Sequence, residues 1–251
     1  MLEGYQRRGG DRESRELIFD DHQGELVRVV VRGRGHFESG PGALVVVADP
    51  MRRNLESVSR HSIPENTSFV GAVLTGGASS RMGTDKALLR VEGVPMVLRV
   101  ARAILGAGAK DVCAVGGDAP SLEALALRFV PDEALHQGPL AGIIGALRSA
   151  AHDVVVVAAC DMPWIESGHV AQLVTALGTR DAVMSASNDQ VQPLFSVWRR
   201  ASCAQLEDAF RGGERSPRRA IEGLDYAIVN LEAGPWSVDL DTPEDFEGVT
   251  R

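Results

Sequence analysis

The chain has 251 residues, of which 44% are hydrophobic, enough to build one large α/β domain or two small ones. The formal net charge of −8 at pH 7, without a basic stripe, argues against nucleic acid as the main partner. No apolar run approaches the roughly 20 residues that span a bilayer, and the N-terminus lacks the apolar h-region of a signal peptide. The three cysteines lack metal-binding spacing and fit reduced thiols. We therefore expect a cytoplasmic protein that binds neither membrane nor nucleic acid.

The first part of the chain differs in composition from the rest, and we place a domain boundary near residue 68. Residues 1–68 are rich in charge, and their apolar segments are short. Two of these segments, residues 26–31 and 43–48, flank a Gly-Pro-Gly turn signal. They either pair as a small hairpin or belong to a poorly ordered extension.

From residue 69 to residue 251, apolar strands alternate with helical patterns, which is typical of a parallel sheet with helices on both faces. The sequence thus predicts a doubly wound, mostly parallel α/β domain. Pro193 places its strand near a sheet edge, in antiparallel orientation. The inward face of the helix after Pro95 is expected to include Leu98 and Leu105. Strands are predicted at 69–74, 111–115, 154–159, 182–186, 193–198 and 226–231, with a further short strand, the third in chain order, that closes at 130–132. Helices are predicted at 95–105, 121–127, 138–149, 167–177, 201–211 and 216–222.

A glycine-rich loop directly follows the first predicted strand of this domain. Residues 74–86 read L-T-G-G-A-S-S-R-M-G-T-D-K. Glycines let the backbone approach a ligand closely, and free amides in such a turn bind anions. Arg81 and Lys86 add a planar fork and a compact point charge, both suited to phosphate oxygens. The loop is therefore predicted to bind a polyphosphate.

Lysine is rare in this chain, which makes Lys86 informative. Among the 26 basic residues, the only lysines are Lys86 and Lys110. Either the ammonium group itself is required at position 86, or its presence there is chance.

Acidic residues follow other predicted strands, at the edge where ligands bind in open α/β sheets. Asp132 follows the third strand, Asp161 the very apolar fourth strand, and Asp239 and Asp241 lie near the chain's end. Asp161 either holds a divalent cation or caps the turn that begins before Pro163. Asp239 and Asp241 point to the same side of an extended segment and could share a cation, although Asp241 alone also fits a helix N-cap.

A proline-led helix completes the predicted site. Gly138 precedes Pro139 in the segment G-P-L-A-G, so the helix N-terminus either meets a ligand closely or simply packs tightly on the sheet.

The loop excludes two familiar phosphate binders and resembles a third. A P-loop needs Gly-Lys-Ser/Thr, and the dinucleotide fingerprint needs G-x-G-x-x-G. Neither fits. The loop instead is similar to the signature L-[AT]-G-G-x-S-x-R-M-G-x-D-K of nucleotidyltransferases, and most resembles the molybdenum cofactor guanylyltransferases (the MobA family). The segments C-D-M-P after the fourth strand, G-P-L-A-G and Gln192-Pro193-Leu194 agree.

This resemblance covers residues 69–251 and implies a Rossmann-like nucleotidyltransferase fold that transfers GMP from GTP to molybdopterin and releases pyrophosphate. It implies that Arg81, Lys86 and Asp161 are catalytic and that Asp161, with Asp239 and Asp241 as further candidates, binds Mg²⁺. The implied partners are GTP, molybdopterin, other cofactor-biosynthesis proteins and recipient molybdoenzymes. The nucleotide-binding residues implied by the resemblance are Leu74, Thr75, Gly76, Gly77, Lys86, Asp132, Gly138 and Asp161.

Two alternatives stay open at this point. Gly76-Gly77 agrees with the GTP-using branch, but D-L-D-T-P near the C-terminus stands where the guanylyltransferases often have N-x-N-T-P, and it resembles cytidylyltransferases. A cytidylyltransferase, for this cofactor or for a sugar phosphate, is thus the first alternative. The second is a silent nucleotide-binding module on the same fold.

Overall fold

The computed structural model describes residues 67–76, 86–132, 137–238 and 240, together with the backbone of four strands before residue 67. The strands are β1 Tyr5–Arg7, β2 Ser14–Asp20, β3 Leu26–Arg32, β4 Val46–Val47, β5 Phe69–Leu74, β6 Arg90–Val91, β7 Val94–Pro95, β8 Val112–Val115, β9 Arg128–Val130, β10 Val154–Ala159, β11 Ala182–Ser187, β12 Gln190–Arg199 and β13 Tyr226–Asn230. The α-helices are α1 Met96–Gly106, α2 Ala119–Ala124, α3 Pro139–Ser149, α4 Ser167–Leu177, α5 Cys203–Arg211 and α6 Pro217–Ala220. In the described part of the chain, 3₁₀ turns lie at Lys86–Leu88, Arg200–Ser202, Ile221–Gly223 and Pro235–Ser237.

The main sheet has eight strands in the order β4-β13-β11-β12-β10-β5-β8-β9. Its half from β10 to β9 is parallel throughout, whereas β12 runs antiparallel to both of its neighbours. This architecture confirms the predicted mostly parallel α/β fold with helices on both faces.

The core explains why the central strands are so apolar. Every residue of β5 and β10 is buried, because helices cover both faces of the sheet there. One face packs against α1 and α4, and the other against α3 and α5. Among the described residues, no helix has the length and hydrophobicity needed to cross a bilayer.

Helix α1 corrects one expectation about the core. Its buried face is centred on Val97, Val100, Ala101 and Ile104, spaced by three and four residues. Leu105 lies off this face in the last turn and is 46% exposed, so its predicted inward position is wrong. Leu98 is partly buried and packs against the core as expected.

Strand β12 is antiparallel, as predicted, but it is not at a sheet edge. It lies between β10 and β11, and the prediction from Pro193 was wrong because the ladder shifts register beside this proline. Met184 pairs with Ser196, whereas Ser185 pairs with Gln192. Pro193 therefore lies in a bulge, where no ladder hydrogen bond needs its missing N–H.

The strands before residue 67 pair differently from the expected hairpin. β1, β2 and β3 form an antiparallel sheet of three, so β3 pairs with β2. Strand β4 instead pairs with β13 and extends the edge of the main sheet. The domain boundary near residue 68 stays a prediction.

Candidate active site

The carboxyl ends of four neighbouring strands are joined by backbone hydrogen bonds. The amides of Thr75 and Gly76 both donate to Val115 O, at 2.9 and 3.1 Å. The amide of Cys160 donates to Leu74 O at 3.1 Å, and that of Gly116 donates to Val130 O at 2.9 Å. The exits of β5, β8, β9 and β10 therefore form one continuous rim, as the strand-end rule predicts.

Two glycines and one carboxylate meet in the middle of this rim. A Cβ built on Gly76 would lie 3.3 Å from the Cα of Gly116 and 3.4 Å from Oδ2 of Asp132. A Cβ built on Gly116, whose φ is +77°, would lie 2.8 Å from the Cα of Gly76. Only glycine fits at position 116, because both its conformation and the contact exclude a side chain. Gly76 and Asp132 were predicted to lie at this rim, whereas Gly116 was not.

Thr75 is fixed by its side chain as well as by its backbone. Its hydroxyl is 2.6 Å from Gly116 O and 3.1 Å from Val115 O, and the residue is buried. A Cβ on Gly117, whose φ is +81°, would lie 3.0 Å from this hydroxyl. The pair Gly116-Gly117 was present in the sequence as a signal for a tight turn after a strand.

The centre of the site is an ion pair between two residues far apart in sequence. Nζ of Lys86 lies 3.0 Å from Oδ2 of Asp161. Lys86 is in the 3₁₀ turn after the glycine loop and is only 8% exposed, whereas Asp161 lies two residues after the end of the buried β10. Lys110, the other lysine, is exposed. The two residues predicted to share one crevice are therefore in direct contact.

The end of the chain also reaches Asp161. The amide of Leu240 donates to Asp161 O at 3.1 Å, and Leu240 is 1% exposed. Its side chain packs with Val91 and Met96 in a small apolar cluster. This brings the backbone of Leu240 next to that of Asp161. The predicted site residues Gly77, Arg81, Asp239 and Asp241 lie outside the described residues.

The G-P-L-A-G segment packs tightly on the sheet, which is one of the two roles that its sequence left open. Gly138 has φ +95° and precedes Pro139 at the first position of α3. A Cβ on Gly142 would lie 3.2 Å from the side chain of Leu74, so this glycine permits close packing of α3 on the end of β5. Gly138 itself lies against Arg215, since its built Cβ would be 3.3 Å from the Cβ of that residue. The segment thus places the N-terminus of α3 beside the rim.

The donor set at Asp161 fits a hard divalent cation that a nucleotide brings with it. Oδ2 faces the lysine, and a carboxylate offers about four lone-pair positions. Mg²⁺ commonly takes one or two carboxylates and completes its shell with phosphate oxygens and water. Among the described residues there is no group of three or more His, Cys, Asp or Glu that would form an all-protein cage.

Comparison with known proteins identifies the family of the segment that carries this rim. Residues 71–228 match the family described as "MobA-like NTP transferase domain". The chain belongs to this family. Its relatives among the MobA-like proteins include the molybdenum cofactor guanylyltransferase of Pseudomonas paraeruginosa, 33% identical over 177 residues, covering 68% of this chain and 89% of the relative. The guanylyltransferase of Pseudomonas putida is 37% identical over 163 residues, covering 64% of this chain and 84% of its own length.

Solved structures agree with the MobA-like fold. Molybdopterin-guanine dinucleotide biosynthesis protein A from Archaeoglobus fulgidus superposes with a TM-score of 0.58 at 24% identity, covering 71% of this chain and 95% of that protein. The 2-C-methyl-D-erythritol 4-phosphate cytidylyltransferase of Thermus thermophilus gives 0.54 at 19% identity, covering 72% and 96%. One fold therefore serves both guanylyl- and cytidylyltransferases, and fold alone does not choose the base.

Proposed function

We propose that this protein transfers GMP from GTP to the terminal phosphate of molybdopterin, releasing pyrophosphate and forming the guanine dinucleotide cofactor. The observation that carries the proposal is the Lys86–Asp161 ion pair, 3.0 Å between its charged atoms, at the end of the glycine loop. The names of the relatives and the MobA-like family match support the same reaction. A cytoplasmic location and delivery of the product to molybdoenzymes belong to the proposal.

The proposed chemistry is an in-line displacement at the α-phosphorus of GTP. An oxygen of the acceptor phosphate attacks, a new P–O bond forms, and the bond to the bridging oxygen of pyrophosphate breaks. No covalent enzyme intermediate is needed, so the protein contributes positioning and charge stabilisation. Lys86 would offset charge on the triphosphate, and Arg81 would add a second cation from the glycine loop.

Mg²⁺ would be held by Asp161, with Asp239 and Asp241 as candidate additional ligands. When bound, the ion neutralises phosphate charge and orients the oxygens. A magnesium ion beside Asp161 would give this partly exposed carboxylate, two residues after the end of β10, a second positive partner besides Lys86.

The rim supports GTP as the donor nucleotide. Guanine presents two adjacent N–H donors on its pairing edge, which a single carboxylate can accept together, whereas cytosine presents one donor beside an acceptor. Asp132 would make this contact, because its carboxylate faces the glycine seam at Gly76 and Gly116. Since Thr75 and Gly76 already donate their amides to Val115, their remaining backbone groups for a ligand are carbonyl oxygens.

The deciding assay is pyrophosphate release from purified protein with Mg²⁺, molybdopterin and either GTP or CTP. We expect release with GTP, dependent on both the acceptor and Mg²⁺. Release with CTP instead would support the cytidylyltransferase suggested by D-L-D-T-P. Nucleotide binding without release would support a silent module.

A further inference from the structure

The Lys86–Asp161 pair joins two segments that no strand pairing connects directly. Lys86 is in the turn before the β6–β7 ribbon, and Asp161 is in the turn after β10. The ribbon is tied to the lysine turn, because Leu89 N donates to Lys86 O at 3.1 Å and Met96 N donates to Leu89 O at 2.9 Å. The distance between Lys86 and Asp161 therefore depends on the contacts that hold the β6–β7 ribbon against the turn after β10.

Arg99 spans this gap with its guanidinium group. It lies on α1, and its Nε donates to Pro163 O at 3.1 Å, two residues beyond Asp161. Its Nη1 donates to Val91 O at 3.3 Å and to Glu92 Oε2 at 2.6 Å, both in the β6–β7 ribbon. One planar side chain thus links the backbones of both segments.

For holding the two segments together, the hydrogen bonds from Arg99 to the carbonyls of Pro163 and Val91 matter more than its ion pair with Glu92. Arg99 is 21% exposed and Glu92 is 66% exposed, so the ion pair between them is largely screened by solvent. The carbonyl of Pro163 belongs to a buried residue, and so does that of Val91. A guanidinium can reach two acceptors in fixed directions, whereas a lysine ammonium is a point donor on a flexible stem.

We propose that Arg99 is a positioning residue that sets the spacing of Lys86 and Asp161 for the reaction. This inference depends on the proposed function for its kinetic part only. Arg99 does not contact the two charged groups, and it acts through the backbone of the segments that carry them.

The test uses the full chain with Arg99→Lys, which keeps the charge and loses the two-carbonyl link. Arg102→Lys is the matched control, because Arg102 is one turn away on α1 and exposed. Glu92→Gln removes only the screened ion pair. Arg99→Gln, which keeps a single amide donor, is the second variant if the lysine variant folds poorly.

Two measurements are made on each variant. Hydrogen exchange of the nucleotide-free protein should quicken in Arg99→Lys at residues 86–91 and 160–164 together, with the rest of the sheet unchanged. In the pyrophosphate assay, kcat should fall about 10-fold or more and half-saturating Mg²⁺ should rise, while KM for GTP changes less. Arg102→Lys and Glu92→Gln should match the wild type in both measurements.

Wild-type exchange at both segments in Arg99→Lys, an even increase over the whole chain, or an unchanged kcat would each overturn the inference. A wild-type protein that releases no pyrophosphate would instead contradict the proposed function. In that case the exchange data still decide whether Arg99 holds the two segments together.

Discussion

Lys86 is a buried lysine whose contact with Asp161 could not be read from the sequence. Lysine is seldom buried without a partner, and here its ammonium lies beside a carboxylate two residues after the end of the apolar strand β10. The composition singled out this lysine, and the strand-end rule singled out Asp161. Neither pattern contained the 3.0 Å contact, because that distance depends on how the lysine turn and the turn after β10 pack together.

The first prediction concerns this pair. Asp161→Asn keeps an oxygen that can accept from Nζ of Lys86, so the fold should persist while the metal site loses its charge. We expect pyrophosphate release to fall at least about 100-fold, with an unchanged circular dichroism spectrum. Lys86→Ala should cause a similar loss, whereas Lys110→Ala at the exposed lysine should not. Near-normal rates in Asp161→Asn would remove Asp161 from the metal site.

The second prediction separates backbone strain from crowding at the glycine seam, where Gly76 meets Gly116. Gly116 and Gly93 have nearly the same φ, +77° and +76°, but only Gly116 has atoms within 4 Å of its built Cβ. Gly93→Ala should therefore cost only the conformational strain, about 1 kcal/mol of unfolding free energy. Gly116→Ala should cost roughly 1–3 kcal/mol more, because its Cβ meets the backbone of Gly76.

Urea unfolding of the two variants measures the difference. Equal losses would mean that the rim relaxes around an added methyl group, which would contradict a closely packed seam between β5 and β8.

Helix α4 lies between the turn that carries Asp161 and the C-terminal part of the chain. Its N-cap, Glu166, accepts from the backbone at the third helical position, and Nδ1 of His169 accepts from the Glu166 amide at 3.2 Å. The His169 ring also lies against Trp236, with 5.5 Å between ring centroids. Only neutral histidine can accept at Nδ1, so this cap is sensitive to pH.

The third prediction follows from the lowered pKa of His169. Burial lowers this pKa, and the carboxylates of Glu166 and Glu232 oppose the shift. A histidine whose folded pKa is depressed contributes its full stability above the unfolded value of about 6.5. That contribution is lost as the pH falls from there through the folded value. His169→Gln keeps a capping-box side chain that does not titrate, so its stability should fall less between about pH 8 and about pH 5.

Urea midpoints of the wild type and His169→Gln at both pH values provide the check. Parallel pH dependence of the two proteins would show that His169 contributes nothing to acid sensitivity.

Elements with strong periodicity were predicted well from the sequence, and tertiary context explains the rest. β10 and α4 were predicted with the ends that the structure shows, because a continuous apolar run and a capped amphipathic helix carry their own signals. Pro193 led to the wrong prediction that β12 lies near a sheet edge. Whether a proline lies at an edge or in a bulge depends on the pairing with the neighbouring strand. The role of Arg99 was not readable from the sequence for the same reason, because its contacts exist only between elements. Gly116-Gly117 indicated a tight turn, but not the contact of Gly116 with Gly76.

The main sheet contains a strand from outside the segment that matches the family. The family match begins at residue 71, yet β4 pairs with β13 and so extends the sheet with residues from the first part of the chain. The predicted boundary near residue 68 can therefore be tested directly by expressing residues 67–251.

The fourth prediction is that this fragment folds and keeps pyrophosphate release close to that of the full chain. The reason is that β5, β8, β9 and β10 supply the rim, while β4 touches only the far edge of the sheet. Thermal unfolding and the GTP assay compare the two proteins. A fragment that aggregates or is inactive would show that the first strands belong to the catalytic domain.

The antiparallel direction of β12 places one turn of the chain beyond the end of β10. Because β12 starts where β11 ends, the turn at Asn188 and Asp189 projects past the end of β10, on the side away from the glycine seam. Insertions or substitutions in that turn would leave intact the strands β5 and β8 that carry Gly76 and the approach to Gly116. We therefore expect a longer or altered hairpin to change the surface beyond β10 while the packing of Gly76 against Gly116 stays the same.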